Sequence, residues 1–247
     1  MEKAVDRLLI ITAVFALLFG AAAYHFRGSS HATIKTFDRE VAVCEYIDVD
    51  VPKLDVIVIP YDGKRIRVAY KNDLPLEITL GDNRLSITES SEFVISLFVG
   101  GSSDFGLYLY LPKTIYRDIT IYTGAGNVRV GGVNSEKLTV ITNSGDIFCE
   151  DAISLANLVT GSGNITLDCN VVIEESSIQS RSGNVSFIFP SDSSVAVDFE
   201  TNSGECETDL ISGKLYGSNM YSFNGGGTLI HATLETGTLT IGKKEKE

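Results

Sequence analysis

The spacing of apolar residues along this chain changes once. Leu8 to Tyr24 read LLIITAVFALLFGAAAY, 17 residues without a charge, preceded by Lys3 and Arg7. A bilayer-spanning helix needs roughly 17–25 apolar residues, so the stretch is just long enough to act as an anchor. Its end, Gly20-Ala21-Ala22-Ala23, also suits the small-residue site at which a signal peptide is cut. Both readings send the rest of the chain across a membrane. Lys and Arg flank both sides of the stretch, so charge sets its orientation only weakly. Arg27 to Asp38, with Gly28-Ser29-Ser30, reads as a polar linker.

From Cys44 onward the period is two. Ile47-Asp48-Val49-Asp50-Val51, Ile66-Arg67-Val68 and Leu107-Tyr108-Leu109-Tyr110-Leu111 alternate apolar with polar or amphipathic side chains, the pattern of half-buried strands. Val56 to Ile59 is a short apolar run ending at Pro60. Helical periodicity is nearly absent from this part of the chain.

Within the alternation one six-residue phrase recurs. It reads Thr123-Gly-Ala-Gly-Asn-Val, Thr142-Asn-Ser-Gly-Asp-Ile, Thr160-Gly-Ser-Gly-Asn-Ile, Ser180-Arg-Ser-Gly-Asn-Val and Thr201-Asn-Ser-Gly-Glu-Cys. The glycines Gly126, Gly145, Gly163, Gly183 and Gly204 are 19, 18, 20 and 21 residues apart. Degenerate copies follow at Gly227 and Gly237, and looser ones precede at Gly63 and Gly81. A fixed period near twenty with strand alternation inside it marks a solenoid. One repeat holds two short strands and cannot bury its apolar face alone, whereas stacked coils bury a continuous core. The expected fold is all-β: a single-stranded parallel β-helix with coils of about 20 residues, preceded by one N-terminal transmembrane or signal helix.

Each phrase is then the same corner on a successive coil. Gly permits a positive φ or a close approach of the neighbouring coil. The residue after it (Asn127, Asp146, Asn164, Asn184, Glu205) is placed to form a hydrogen-bonded ladder. The register points Val128 and Val130, Ile147 and Cys149, Ile165 and Leu167, Val185 and Phe187, and Cys206 and Thr208 inward. It points Arg129, Phe148, Thr166, Ser186 and Glu207 outward, with Phe148 the apolar exception. The charged run Lys243 to Glu247 is expected to blunt the open edge of the last coil. The chain divides into an anchor or signal at 1–26, a linker at 27–43, the solenoid at 44–242 and a charged tail at 243–247.

Asp55-Val-Ile-Val-Ile-Pro-Tyr-Asp-Gly63, Leu109-Tyr-Leu-Pro112 and the Thr-x-Ser-Gly-Asn/Asp-Ile repeats together resemble the bacterial "putative adhesin" domain of unknown function. The resemblance covers roughly Ile47 to Gly242. It implies a glycine-punctuated β-helix, often behind an N-terminal membrane span and in some cases associated with envelope stress. It brings no catalytic residues, because the family shares none.

Composition narrows the chemistry. Net charge is -12, which repels nucleic acid, where affinity comes mainly from Lys and Arg on phosphates. Hydrophobic residues make up 44% of the chain, enough to exclude general disorder. Cys44, Cys149, Cys169 and Cys206 are even in number, which in an exported chain suggests disulfides. The last three fall in different inward columns, so they read as buried free thiols. No Cys or His spacing suits zinc, and the acidic and amide corners lack the nine-residue spacing of a calcium-binding solenoid. No metal or cofactor is expected. Asn164-Ile-Thr166 and Asn184-Val-Ser186 match a glycosylation sequon but are explained by the corner. Asp118, Asp146, Glu150 and Asp168 form no convergent set of the kind glycoside cleavage needs, so the chain is read as a non-enzyme.

The candidate contact residues are aromatic. Tyr108 and Tyr110 point outward from one strand, and Tyr122 would join them if its strand stacked one coil on. Phe93 to Val99 is an apolar run, read as a buried strand. The expected function is an interaction or scaffold module at the cell envelope. Its partners are the membrane, through the N-terminal helix, and cell-wall glycan or an envelope protein. The expected location is the cell membrane, single-pass and extracytoplasmic, or secreted if the N-terminus is cleaved. A solenoid that self-associates through its ends and a glycan-active β-helix are the competing readings.

Overall fold

The computed structural model describes residues 36–71, 76–89, 106–170, 176–208, 215–216 and 219–244. The N-terminal apolar segment and Phe93 to Val99 lie outside these residues. Among the described residues no helix is long and apolar enough to cross a membrane.

The alternating stretches are strands, as expected. In chain order they are β1 (Thr36–Val41), β2 (Tyr46–Asp50), β3 (Asp55–Tyr61), β4 (Ile66–Lys71), β5 (Leu76–Gly81), β6 (Arg84–Glu89) and β7 (Gly106–Pro112). Then come β8 (Ile115–Thr123), β9 (Val128–Gly131), β10 (Asn134–Thr142), β11 (Ile147–Ser162), β12 (Ile165–Cys169), β13 (Ser176–Ser182) and β14 (Val185–Pro190). The last are β15 (Val195–Thr201), β16 (Glu205–Thr208), β17 (Leu215–Tyr216), β18 (Asn219–Phe223), β19 (Thr228–Thr236) and β20 (Thr238–Lys244).

They form two sheets. The back sheet runs β5-β6-β2-β8-β10-β11-β13-β19-β15-β18, and all its inner pairings are parallel. The front sheet runs β1-β4-β7-β3-β9-β11-β12-β14-β20-β16-β17, again parallel inside. From β8 to β12 the chain repeats a back strand, a glycine corner and a front strand, and β2–β3 does the same around Val51 to Leu54 without a glycine. β11 serves both sheets, turning near Asp151, which takes φ 52.

The core lies between the sheets. Val128, Val130, Ile147, Cys149, Ile165, Leu167, Val185, Phe187 and Cys206 are buried in the predicted register, and Thr208 is half-buried. All four cysteines are buried and free.

The corners stack as one column, and close approach explains the glycines more than φ does. A Cβ at Gly145 would fall on the Gly126 carbonyl oxygen, at Gly163 on that of Gly145, and at Gly183 on that of Gly163. Of the five repeat glycines only Gly183 has a positive φ, at 153. Buried Thr hydroxyls complete the corner. Thr142 Oγ1 accepts from Gly145 N at 3.0 Å and donates to Gly126 O at 3.2 Å on the coil below. Thr123 Oγ1 does the same between Gly126 N and Leu54 O, both at 3.1 Å. The expected ladder is present: Asp146 N donates to Asn127 Oδ1 (2.9 Å), Asn164 N to Asp146 Oδ1 (2.7 Å) and Asn184 N to Asn164 Oδ1 (3.0 Å). It ends on Thr238 N (3.0 Å to Asn184 Oδ1), where the sequence register placed Glu205.

That substitution follows from a change of order. In space the coils run β6–β7, β2–β3, β8–β9, β10–β11, β11–β12, β13–β14, β19–β20, β15–β16. The second coil lies outside the first, and the last lies inside the one before it. Both ends are then covered by antiparallel strands: β1, β4 and β5 at one, β17 and β18 at the other. Two expectations are corrected here. Residues 36–41, placed in the 27–43 linker, form β1 and pair with β4. Lys243 and Lys244, expected to blunt a terminal edge, lie on an inner strand beside Phe189 and Pro190. The chain protects its C-terminal strand by seating it between two others, and assigns the outer position to a coil that continues into cap strands.

Candidate interaction surface

A two-residue strand period points every second side chain of the front sheet outward. Parallel register then aligns these side chains across coils. One outward column reads Tyr108, Ile57, Arg129, Phe148, Thr166, Ser186, Thr240, Glu207. Its first half is aromatic, aliphatic and cationic, and its second half is hydroxylic and acidic. Beside it, Arg67, Tyr110 and Ile59 align in the same way.

The cations are held on rings. The Arg129 guanidinium carbon lies 4.4 Å from the centre of the Phe148 ring, and that of Arg67 lies 5.1 Å from the Tyr110 ring. Tyr61 meets Tyr110 edge-on at 6.1 Å. Arg67 is also paired, its Nε reaching both Asp38 carboxylate oxygens at 2.7 Å. Arg129 is exposed and has no carboxylate partner among the described residues. Its fixed pose costs little entropy to present, because the ring already orders the guanidinium.

The face runs on into a shallow groove of about 250 Å³ where β3 and β7 pass beyond the end of β9. Pro60, Leu111, Pro112, Ile115 and Val133 line it. Pro60 has no amide to donate, and it sits where β9 no longer pairs with β3. Ile115 is 61% exposed, unusual for an aliphatic side chain of its size. Lys113, on the rim, pairs with Asp62 at 2.9 Å.

This end of the molecule also carries most of its cations. Among the described residues, 36–137 hold 11 Lys or Arg against 12 Asp or Glu, whereas 138–244 hold three (Arg181, Lys243 and Lys244) against ten. Tyr108, Ile57 and Arg129 therefore lie on the less acidic half, and Phe148 on the first coil of the other.

Of the three predicted tyrosines, the structure brings two together. Tyr108 and Tyr110 share the front face, both half-buried. Tyr122 lies on the back sheet, between Asp50 and Ile141, because the turn at 112–114 carries the chain from front to back before β8 begins. Ile57, Arg129 and Phe148 were not selected from the sequence. The signal was present in part: Arg129 and Phe148 occupy the same offset, three residues after Gly126 and Gly145.

The remaining candidates are dispersed. Asp118, on the back sheet, accepts from Thr120 at 3.0 Å. Asp146 belongs to the corner ladder, and Asp168 pairs with Lys244. Burial pushes the thiols of Cys149 and Cys169 up to about 12 and that of Cys206 up to about 11, so they stay protonated and weakly nucleophilic at neutral pH. Among the described residues no group of His, Cys, Asp and Glu could hold a metal ion.

Comparison with known proteins agrees with this architecture. No curated protein matches the chain. A solved "putative cell adhesion protein" from Clostridium sporogenes is similar over 85% of this chain and 99% of its own, with 14% identity and a TM-score of 0.52, which shows a shared fold. A solved "putative adhesin" from Bacteroides fragilis covers 87% of this chain and 100% of its own, at 13% identity and a TM-score of 0.46. The Toastrack DUF4097 family matches residues 44–153 and again 117–227. The chain belongs to the Toastrack DUF4097 family.

Proposed function

We propose that the protein is a non-catalytic interaction module on the outer side of a bacterial cell membrane, anchored by residues 8–24. It contacts its partner through the front face around Tyr108, Ile57, Arg129 and Phe148. The observation that carries this reading is the division of one outward column into an aromatic, aliphatic and cationic half and a hydroxyl and acidic half. Half-buried aromatics with a ring-held arginine are the residue types that concentrate binding energy at contact surfaces. The acidic remainder disfavours anionic polymers such as teichoic acid and favours neutral cell-wall glycan or an envelope protein. Adhesion is the role that the names of the similar solved proteins suggest.

The test is retention on the isolated cell envelope. Tyr108→Thr combined with Phe148→Thr keeps strand-compatible residues on an outer face. Retention should fall about tenfold, about 1.4 kcal/mol, with the melting temperature unchanged. A folded double variant retained as well as wild type would remove the front face from the account. Protease added to wall-stripped cells should digest the domain, and protection until lysis would overturn the location.

A further inference from the structure

We propose that the space between the β13–β14 and β15–β16 coils is an exchange site, filled by this chain's own last coil and equally able to take the last coil of a second copy. β15–β16 follows β14 directly in sequence, yet among the described residues it meets β13–β14 only through β19–β20. β19 pairs with β13 on one side, from Ser176↔Ile230 to Ser182↔Thr236, and with β15 on the other, from Val195↔Thr228 to Thr201↔Leu234. β20 is held in the same way by β14 and β16. Ile230, Ala232, Leu234, Leu239 and Ile241 fill the core between the sheets.

The corner of this coil is matched on both faces. A Cβ at Gly237 would fall on the Gly183 carbonyl oxygen, and Gly237 takes a φ of 118 that favours glycine. Thr238 N donates to Asn184 Oδ1 at 3.0 Å, and Glu205 N donates to Gly237 O at 3.1 Å. Lys244 Nζ pairs with Asp168 and lies 3.8 Å from Asp151. Leaving the coil out would expose two parallel edges and a strip of core at once.

The coil with these contacts follows β15–β16 and the cap strands in chain order, and it hangs on a glycine hinge. β18 and β19 lie on opposite sides of β15, so Asn224 to Gly227 must cross the start of that strand. Asn224, Gly225 and Gly226 have φ of 52, 88 and 74. The crossing is pinned by Asn224 Nδ2 to Ser191 O (2.9 Å) and Ser193 O (2.7 Å), and by Ser194 Oγ to Asn224 O (3.0 Å). These three bonds and the hinge turn are what a second copy's coil would forgo. Every other contact is the same in cis and in trans, because an identical chain supplies it. The ratio of the two forms is then set by chain concentration while the site is open during folding, against the effective concentration of the tethered coil.

Thr233 and Glu200 face outward as neighbours on β19 and β15, which gives a direct test. Two full chains with different tags, one carrying Thr233→Cys and the other Glu200→Cys, are refolded together from denaturant. A short bis-maleimide is then added under conditions in which the buried native thiols do not react. A second mixture carries Val159→Cys and Gln179→Cys, neighbours on coils that do not exchange. A cross-link between the two tags for Thr233/Glu200, rising with chain concentration during refolding and absent for Val159/Gln179, is the expected result. If the double variant in one chain links within itself at every concentration and no inter-chain product forms, the exchange site is refuted. Equal inter-chain linking for both pairs would refute it too, since that reports undirected association.

Discussion

At the residue scale the fold depends on atoms that are missing. Gly163 has an ordinary φ, but its missing Cβ leaves room for the Gly145 carbonyl of the next coil. Gly163→Ala sets a carbon against backbone, which cannot swing aside, so a coil must shift. The expected cost is about 1–3 kcal/mol, read as a lowered melting temperature. Gly81→Ala is the control, because nothing lies within 4 Å of its Cβ position. Equal melts for the two variants would show that the corner column is wrongly drawn. Burial of thiols has a consequence in pH. An unfolded thiol ionises near 9.0, and folded Cys149 and Cys169 only near 12. Their folded pKa is the higher one, so their contribution is complete below pH 9 and is lost as pH rises from 9 towards 12. The loss is at most about 1.4 kcal/mol per pH unit per thiol. Denaturant midpoints between pH 8 and 10.5 should fall above pH 9, and the fall should be shallower in Cys149→Ala. Parallel slopes would mean that the thiol is not shielded in the folded state.

At the element scale the corner and its ladder were legible in the sequence, because both repeat at fixed offsets. So was the inward register, which follows from a period of two. β1 was not legible: Thr36 to Val41 reads TFDREV, and its charges suit a linker as well as an edge strand, which they protect from further pairing. Nor was the exchanged order of the end coils. A repeat announces its corner but not its neighbour: Gly204 follows Gly183 in the repeat series, yet it is Gly237 that stacks on the Gly183 carbonyl and Gly204 on that of Gly237. Phe148 stood out as an apolar outward residue, but its partner Arg129 emerged only once β9 and β11 were paired. The ladder itself can be tested at one rung. Asn164→Ala removes the acceptor of Asn184 N (3.0 Å) and the donor to Asp146 Oδ1 (3.2 Å). The loss should be about 0.5–1.5 kcal/mol, and hydrogen exchange should quicken at the Asn184 amide while the Asp146 amide keeps its rate. Unchanged exchange at Asn184 would place its hydrogen bond elsewhere.

At the scale of the whole molecule, the two ends are closed and the two halves differ in charge. Antiparallel strands cover both ends, and Arg39 on β1 donates to the Ile78 carbonyl of β5 at 3.2 Å, tying the front cap to the back cap. Stacks so capped cannot extend one another as a parallel solenoid, which weighs against a filament built through the ends. The proposed contact face begins on the cation-bearing half and reaches the first of the acidic coils at Phe148, and the outward column of the front sheet continues from there to Glu207. Ile57 and Glu207 stand on that column six coils apart, about 29 Å at the usual strand spacing. A photoreactive benzoylphenylalanine placed at either position, and irradiated in living cells that make the full chain, tests the central claim most directly. The account predicts a discrete adduct with an envelope component from position 57 and none from position 207. Adducts of equal yield from both positions, or from position 207 alone, would contradict it.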